Sequence, residues 1–265
     1  MDTNVLPLNL PEPEVPARFL PSIAPVIAYE SDLVTVYHGR AEHLLPQMRT
    51  ESVDLIVTDP PYGVEQQSRR RAEVFDPIEG DGSDAASRAA VAEIIEQCVR
   101  IVGQHRHLYV FGPDDVLDGL KVSDVVQLVW DKGSMGSGDV TSAWGPSHET
   151  INFTVSKHRH AGKAGQGVIP TRLRKGTVLA FQRPTGKQVR HPSEKPVGLL
   201  RELIESSSKQ GETILDPYAG VLSTAVAAVL AGRRAIVCEQ SLHYVEVGIE
   251  RIKKAEALVE QMAGL

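Results

Sequence analysis

The stretch DLIVTDPPYGV, Asp54 to Val64, decides how the rest of the chain is read. Its apolar run is that of a β-strand, and it stops at Asp59-Pro60-Pro61-Tyr62. Two consecutive prolines have no N–H to offer a ladder, so a strand does not continue through them. The tetrapeptide therefore presents a carboxylate, a backbone carbonyl and an aromatic ring just beyond a strand end. ETILDPYAG, Glu212 to Gly220, has the same form, and RAIVCEQ, Arg234 to Gln240, ends on an acid. Alone, an Asp-Pro signature is most often a turn. Two of them after predicted strands, with an acid after a third, suggest one cleft.

Outward from these runs the chain alternates strands with helical periods. LVTVYHG (Leu33 to Gly39) reads as a strand and Ala41 to Met48 as a helix. Val91, Ile94, Ile95, Cys98, Val99 and Val102 recur at helical spacing behind Ser83, a candidate N-cap. HLYVFG is a strand followed by a short helix, and VVQLVWDK and HETINFTVSK are two further strands. KPVGLLRELIESSSK is an amphipathic helix, VLSTAVAAVLAGR a buried one with Gly232 near its C-cap, and Leu242 to Met262 a closing helix. This alternation predicts an α/β fold with a doubly wound, mostly parallel sheet. Ligands of such sheets bind beyond the C-terminal strand ends. If the three strands are neighbours, Asp59, Tyr62, Asp216, Tyr218 and Glu239 line that cleft.

A chain of 265 residues suits one large α/β domain, or one with an insertion, and 42% hydrophobic with 23% charged residues is ordinary for a soluble globular protein. No apolar run approaches the roughly 20 residues of a membrane span, and no signal-peptide pattern opens the chain. Cys98 and Cys238 lie far apart without a CxxC pattern, as expected of reduced thiols in a cytoplasmic protein. The net charge of −6 is unevenly spread. Residues 151–193 contain no Asp or Glu but hold Lys157, Arg159, Lys163, Arg172, Arg174, Lys175, Arg183, Lys187 and Arg190, a formal +9 that leaves −15 elsewhere. Such segregation is what a phosphate-binding surface requires, and it points to nucleic acid. Pro7, Pro11, Pro13, Pro16, Pro21 and Pro25 predict an extended leader without regular structure over residues 1–30.

Four motifs in order carry a family resemblance: DPPY at Asp59 to Tyr62, LVWDKGSMGSGDVTSAWGPSHETINF at Leu128 to Phe153, HPSEKPVGLLRELI at His191 to Ile204, and ILDPYAGVLSTAVAAVLAGRRAIVCEQ at Ile214 to Gln240. The chain resembles the amino-group DNA methyltransferases dependent on S-adenosylmethionine, of the subgroup in which the catalytic half precedes the cofactor half. The resemblance covers nearly everything after the leader. It implies a permuted, Rossmann-like, seven-stranded sheet, with a catalytic half over 31–156, a target-recognition insertion over 157–190 and a cofactor-binding half over 191–265.

The resemblance assigns catalysis to Asp59, Pro60, Pro61 and Tyr62. It assigns the cofactor to Asp216, Pro217, Tyr218, Ala219, Gly220, Ser223, Glu239 and Gln240, with Ser193 and Lys195 at its carboxylate. Arg172, Arg174, Lys175, Arg183, Lys187 and Arg190 are the candidate contacts to double-stranded DNA. No metal is needed. Asp at the first catalytic position goes with adenine N6, and cytosine N4 is the alternative. A recognition segment this short suggests a homodimer, since a second subunit adds specificity. A restriction-modification role in a bacterial or phage-infected cell fits the family.

The chemistry makes sense of these residue types. An exocyclic amino group is a weak nucleophile because its lone pair is delocalised into the ring. The Asp59 carboxylate can accept one amino N–H and the Pro60 carbonyl the other. Both acceptors strengthen as the nitrogen gains positive charge, which is transition-state binding. Tyr62 would stack on a base flipped out of the duplex. A glycine turn at Gly220 lets backbone approach the cofactor, and Glu239 can accept from both ribose hydroxyls.

Two positions depart from the family pattern. Gly220-Val221-Leu222-Ser223-Thr224 stands where relatives commonly read Gly-Ser-Gly-Thr-Thr, so Leu222 replaces a glycine. If that position needs positive φ, leucine costs about 1–2 kcal/mol. Arg40 stands where relatives often carry an acid near the cofactor's adenine. These departures keep open a catalytically silent DNA-binding relative, and RNA stays open as a substrate. The pairs His105-x-His107 and His158-x-His160 lack the third donor that a metal site needs. The loop with Gly133, Gly136 and Gly138 reads as a flap over the cleft, and Arg69-Arg70-Arg71 as part of a polar loop.

Overall fold

A computed structural model describes residues 24–61, 85–134, 143–156, 175–184 and 194–264. Its elements are β1 (Val26–Glu30), β2 (Val34–His38), α1 (Ala41–Leu44), β3 (Val53–Thr58), α2 (Ala85–Ile101), β4 (Val102–Phe111), β5 (Val126–Asp131), β6 (His148–Val155), β7 (Val178–Ala180), α3 (Val197–Ser207), β8 (Thr213–Asp216), α4 (Ser223–Leu230), β9 (Arg234–Glu239) and α5 (Leu242–Ala263). A tight 3₁₀ turn, Leu45–Gln47, extends α1.

The strands form one sheet in the order β1-β2-β9-β8-β3-β4-β6-β5-β7. The neighbours β2/β9, β9/β8, β8/β3, β3/β4 and β5/β7 are parallel; β1/β2, β4/β6 and β6/β5 are antiparallel. The seven strands from β2 to β5 are the sheet that the family resemblance implies, and β1 and β7 add an edge at either side.

Both edges correct the sequence reading. Val26–Glu30 falls in the leader expected to lack regular structure, yet it pairs with β2. Its last turn is fastened from a distance: Tyr29 Oη donates to Glu256 Oε2 at 2.6 Å and Ser31 Oγ to Glu256 Oε1 at 2.5 Å, both on α5. Val178–Ala180 lies within the segment read as a target-recognition insertion, where no strand is expected from the sequence. It pairs with β5, and Trp130 Nε1 donates to the Phe181 carbonyl at 2.7 Å to hold it there. The short helix expected after β4 is instead a run of turns over 114–119. Gly119, at φ +77°, breaks it in the left-handed region.

Alternation along β3 sends side chains to two cores. Leu55 and Val57 pack with Leu199, Leu203, Ala225, Ala228 and Ile252 from α3, α4 and α5, while Ile56 packs with Ile94, Cys98 and Ile101 from α2. After β3 the chain crosses by α2 to β4; after β8 it crosses by α4 to β9 on the opposite side. Adjacent strands whose connections leave in opposite directions open a crevice at their C-terminal ends. β3 and β8 are that pair.

A buried polar cluster sits under the sheet. His107 Nδ1 and Tyr109 Oη, neighbours on β4, both lie 2.6 Å from Ser207 Oγ at the end of α3. Burial pushes the His107 pKa down to about 4, so at neutral pH its ring is uncharged and Nδ1 can accept from the serine. His107 also sets its edge against the Phe153 ring. The imidazole is thus a core group whose Nδ1 is partnered by Ser207. Replacing Ser207 by Ala should cost about 1–3 kcal/mol, because it strands two polar groups indoors; urea unfolding of the two proteins measures the difference.

Candidate active site at the strand switch point

Asp59 is the first residue beyond β3 and Asp216 the last of β8. The register Leu55 with Ile214 and Ile56 with Leu215 makes them leave the same end of adjacent strands. Asp216 pairs with Val237 of β9, so Glu239 closes the next strand two residues further on. Three acids from distant parts of the chain therefore converge beside the crevice. Pro60 is buried there, and lacking an N–H it leaves no orphan donor where the ladder ends.

On the β3 side the charges alternate. Lys195, in the loop before α3, places its ammonium on Asp59 Oδ2 and 3.1 Å from Glu149 Oε2. Glu149, near the start of β6, also meets Lys132 Nζ at 2.8 Å. The Lys195 ammonium lies 4.9 Å from the centre of the Phe111 ring, at the end of β4. Burial works against the charge on Lys195, but the Asp59 and Glu149 carboxylates outweigh it and hold its pKa above the usual lysine value. Burial likewise opposes ionisation of Glu149, and the two lysines prevail, holding its pKa down. Lys195 was expected at the cofactor's carboxylate; here its ammonium lies between Asp59 and Glu149.

On the β8 side the acids have no such cations. Asp216 Oδ1 accepts the Tyr218 N–H at 3.1 Å and Oδ2 the Thr224 hydroxyl at 2.6 Å, closing the loop between β8 and α4 on itself. Glu239 Oε2 accepts the Gly220 N–H and Oε1 the Ser241 N–H, both at 2.8 Å. Burial pushes Asp216 up to about 6 and Glu239 up to about 7, with the hydrogen bonds only partly restoring the charged form. Among the described residues no Lys or Arg pairs with either. Gly220 has φ +51°, bringing backbone up to the carboxylate as a side chain would hinder. Ala219 donates to the Cys238 carbonyl at 3.0 Å, Tyr218 packs against the core that holds Ile56, Cys98 and Leu215, and the Gln240 carbonyl meets His38 Nε2 at 3.1 Å. This half suits a cationic ligand that carries hydroxyl donors, as S-adenosylmethionine does.

Other expected positions are placed differently. Ser223 is buried and turned toward α5, where Arg251 Nη1 donates to its Oγ at 3.0 Å and to the Val221 carbonyl at 2.6 Å. Leu222 does adopt the left-handed conformation, at φ 58° and ψ 32°. Its side chain is fully buried, and that burial, about 1.5–3 kcal/mol, can offset the backbone cost of about 1–2 kcal/mol. Arg40 pairs with Glu42 at 3.0 Å. The acid of this region is therefore Glu42, whose charge helps raise the Tyr218 pKa after burial has done so. Lys175 forms an ion pair with Glu202 on α3, and Arg183 is half-buried just after β7. Tyr62, Arg172, Arg174, Lys187, Arg190 and Ser193 lie outside the described residues, as do Gly136, Gly138, Arg69-Arg70-Arg71, His158 and His160.

The N6/N4 type DNA methylase family matches residues 53–250, from β3 into α5. The chain belongs to this family of amino-group DNA methylases. It is 24% identical over 258 residues to the DNA adenine methyltransferase YhdJ of Escherichia coli strain K12, covering 86% of this chain and 85% of that one. It is 25% identical over 254 residues to the type II methyltransferase M2.DpnII of Streptococcus pneumoniae, covering 85% and 91%. Among solved structures, the M1.HpyAVI–SAM complex superposes with a TM-score of 0.58 at 19% identity, over 83% of this chain and 99% of that one. The cytosine-N4-specific PvuII DNA methyltransferase gives 0.64 at 14% identity, over 87% and 94%. At such identities these two are likenesses of fold.

Lys132, Glu149, Glu194 and Arg251 are the site residues that sequence reasoning missed. Glu149 and Lys132 lie inside the motif quoted from Leu128 to Phe153, but nothing in their spacing couples them to Asp59. Arg251 Nη2 on α5 meets Glu194 Oε1, just before α3, at 2.9 Å, a contact with no local signal. Among the described residues no three His, Cys, Asp or Glu side chains gather as metal ligands would.

The raised Glu239 has a measurable sign. A carboxyl whose folded pKa is about 7 against 4.5 stabilises the fold fully below pH 4.5 and loses that contribution as pH rises through 7. Asp216 has finished by about 6, and the depressed His107 acts in the window between about 4 and 6.5. From pH 6.5 to 8 the cofactor-free protein should therefore lose on the order of 1 kcal/mol, and Glu239→Gln should flatten that slope; denaturant titrations across the range measure it.

Proposed function

We propose that this methylase transfers a methyl group from S-adenosylmethionine to N6 of an adenine flipped out of double-stranded DNA. The observation that carries the reading is the meeting, at the β3–β8 crevice, of Asp59-Pro60 with the uncompensated acids of the β8 and β9 ends. Adjacent strands lie roughly 5 Å apart, so a base held at one end and a cofactor at the other are within reach of each other. Asp at the first catalytic position and the adenine specificity in the name of the E. coli relative support adenine as the base.

S-adenosylmethionine, when bound, supplies a methyl group already activated on a sulfonium. The chain's own residues hold and aim. Lys195 holds Asp59 by Oδ2, the Asp59 carboxylate accepts one amino N–H, and the Pro60 carbonyl takes the other. Glu149 shares the Lys195 ammonium with Asp59, so the nitrogen gains positive charge beside a carboxylate that Lys195 neutralises only in part. Glu239 accepts the ribose hydroxyls while Gly220 and Ser241 hold its carboxylate in place. Asp216 shapes the loop from Pro217 to Thr224 through Tyr218 and Thr224. Tyr62 stacks on the base, and Ser193 flanks the cofactor. Arg172, Arg174, Arg183, Lys187 and Arg190 meet phosphates, with Lys175 held back in part by Glu202. A homodimer, a cytoplasmic location and a restriction-modification role belong to the same proposal. Among the described residues no helix is long and apolar enough to cross a membrane.

Incubation with labelled S-adenosylmethionine and unmethylated bacterial DNA, followed by mass spectrometry of the nucleosides, should show N6-methyladenine. N4-methylcytosine would keep the mechanism and change the base; no product at all would sink the reading in favour of a silent DNA-binding relative. Asp59→Ala should lower kcat on the order of 10²–10³-fold or more, with cofactor affinity near wild type. Lys195→Met separates two roles. Bracing Asp59 predicts a kcat loss of about tenfold or more with KM for the cofactor little changed, whereas holding the cofactor's carboxylate predicts the reverse.

A further inference from the structure

Three described residues other than glycine adopt positive φ: Glu51, His105 and Leu222. Leu222 alone among them is fully buried, and it begins α4 with no side chain able to cap the helix. Both its backbone basin and its N-cap position favour other residue types. Something must therefore hold it.

The holder is α5. Gly248 on that helix faces the Leu222 side chain so closely that an added Cβ would stand 2.2 Å from Leu222 Cγ, 2.5 Å from Cδ1 and 2.8 Å from Cβ. No real side chain fits there, so the leucine occupies the notch that the glycine leaves. Three residues on, along the same helix face, Arg251 grips the chain on both sides of Leu222, at the Val221 carbonyl and the Ser223 hydroxyl. Its other guanidinium nitrogen pairs with Glu194, the neighbour of Lys195. Leu222 also donates to the Ala219 carbonyl at 2.8 Å and accepts from the Val226 N–H at 3.1 Å, closing the turn.

We infer that Leu222 and Gly248 are a reciprocal pair, with Leu222 as a positioning residue for the cofactor: the glycine absent from the loop reappears on α5, and the leucine seated in it presets the loop. This rests on the reading that Gly220 to Thr224 hold S-adenosylmethionine. A glycine at 222 would leave the loop free to sample both hands and to be ordered when the cofactor arrives. A leucine locked into α5 has been ordered at folding, so less freedom is lost on binding. Arg251 extends the same preset to the Lys195 side of the crevice.

A double-mutant cycle tests it: wild type, Leu222→Gly, Gly248→Ala and the double variant, each titrated with S-adenosylmethionine by calorimetry and melted without it. Gly248→Ala should weaken binding by about tenfold or more and lower the melting midpoint, because the leucine loses its notch. Leu222→Gly should weaken binding by about threefold to tenfold, with a more unfavourable binding entropy. The double variant should bind and melt like Leu222→Gly alone, so that one substitution rescues the other. If Gly248→Ala does not fold, a folded double variant supports the pair, and an unfolded one overturns it. Additive losses, or wild-type affinity in Leu222→Gly, would overturn the positioning role. Failure of the wild type to bind S-adenosylmethionine would overturn the functional reading and the loop's role with it, leaving the melting midpoints to decide the steric pairing by itself.

Discussion

Parallel pairing of β3 with β8 joins strands from opposite halves of the chain, and each functional group of the site takes its place from that contact. At the C-terminal ends it sets Asp59 beside Asp216. At the other ends the same strands are clamped: Arg106 of β4 meets Asp54 at 2.9 Å and Glu212 at 2.8 Å, and Asp54 accepts the Thr213 N–H at 2.9 Å. The clamp resists a slip in register, which would turn every side chain of β3 to the wrong core. Leu55, Ile56 and Val57 are fully buried, so a slip would also bring Asp54 into an apolar layer.

The two sides of the crevice solve their charge problem in opposite ways. Around Asp59 the acids and lysines alternate, from Asp59 through Lys195 and Glu149 to Lys132, so ionised groups are kept ionised despite burial. Such a set is rigid, because removing one member leaves its neighbour charged and alone. Around Asp216 and Glu239 the partners are backbone N–H groups and a hydroxyl, and burial is left to raise both pKa values. A fixed, neutralised side suits the aiming of a weak nucleophile; a side with unspent negative charge suits the capture of a cation with hydroxyl groups. The loop between β8 and α4 is stiffened in its own way, by a leucine in a glycine's conformation and an arginine that ties it to the opposite side.

Much of this was legible along the chain. Strand ends at Asp59, Asp216 and Glu239 could be read because proline and glycine interrupt an apolar run where they stand, and α3, α4 and α5 could be read from helical spacing of Leu, Val and Ala. Arg40 and Leu222 stood out as departures, and the positive φ that made Leu222 costly if the position needed it is present. The edge strands were less legible. β1 follows a proline-rich run, and Glu256, far along the chain, takes hydrogen bonds from Tyr29 and Ser31 at its end. β7 is a strand of three residues, too short for alternation to be seen, and it is held by Trp130.

By itself, then, the sequence determined the alternating architecture, the family, the acids at the strand ends and the segregation of positive charge. Each of these is a local property of residue type and spacing, which the backbone expresses without regard to distant partners. Only the tertiary structure decided that Lys195 braces Asp59, that Glu149 and Lys132 complete the row, that Ser223 turns to Arg251, and that Leu222 is tolerated because Gly248 is absent of side chain. Those outcomes depend on which helix lies over which loop, and one methyl group added at Gly248 would already collide with Leu222, so no pattern confined to one segment can contain them.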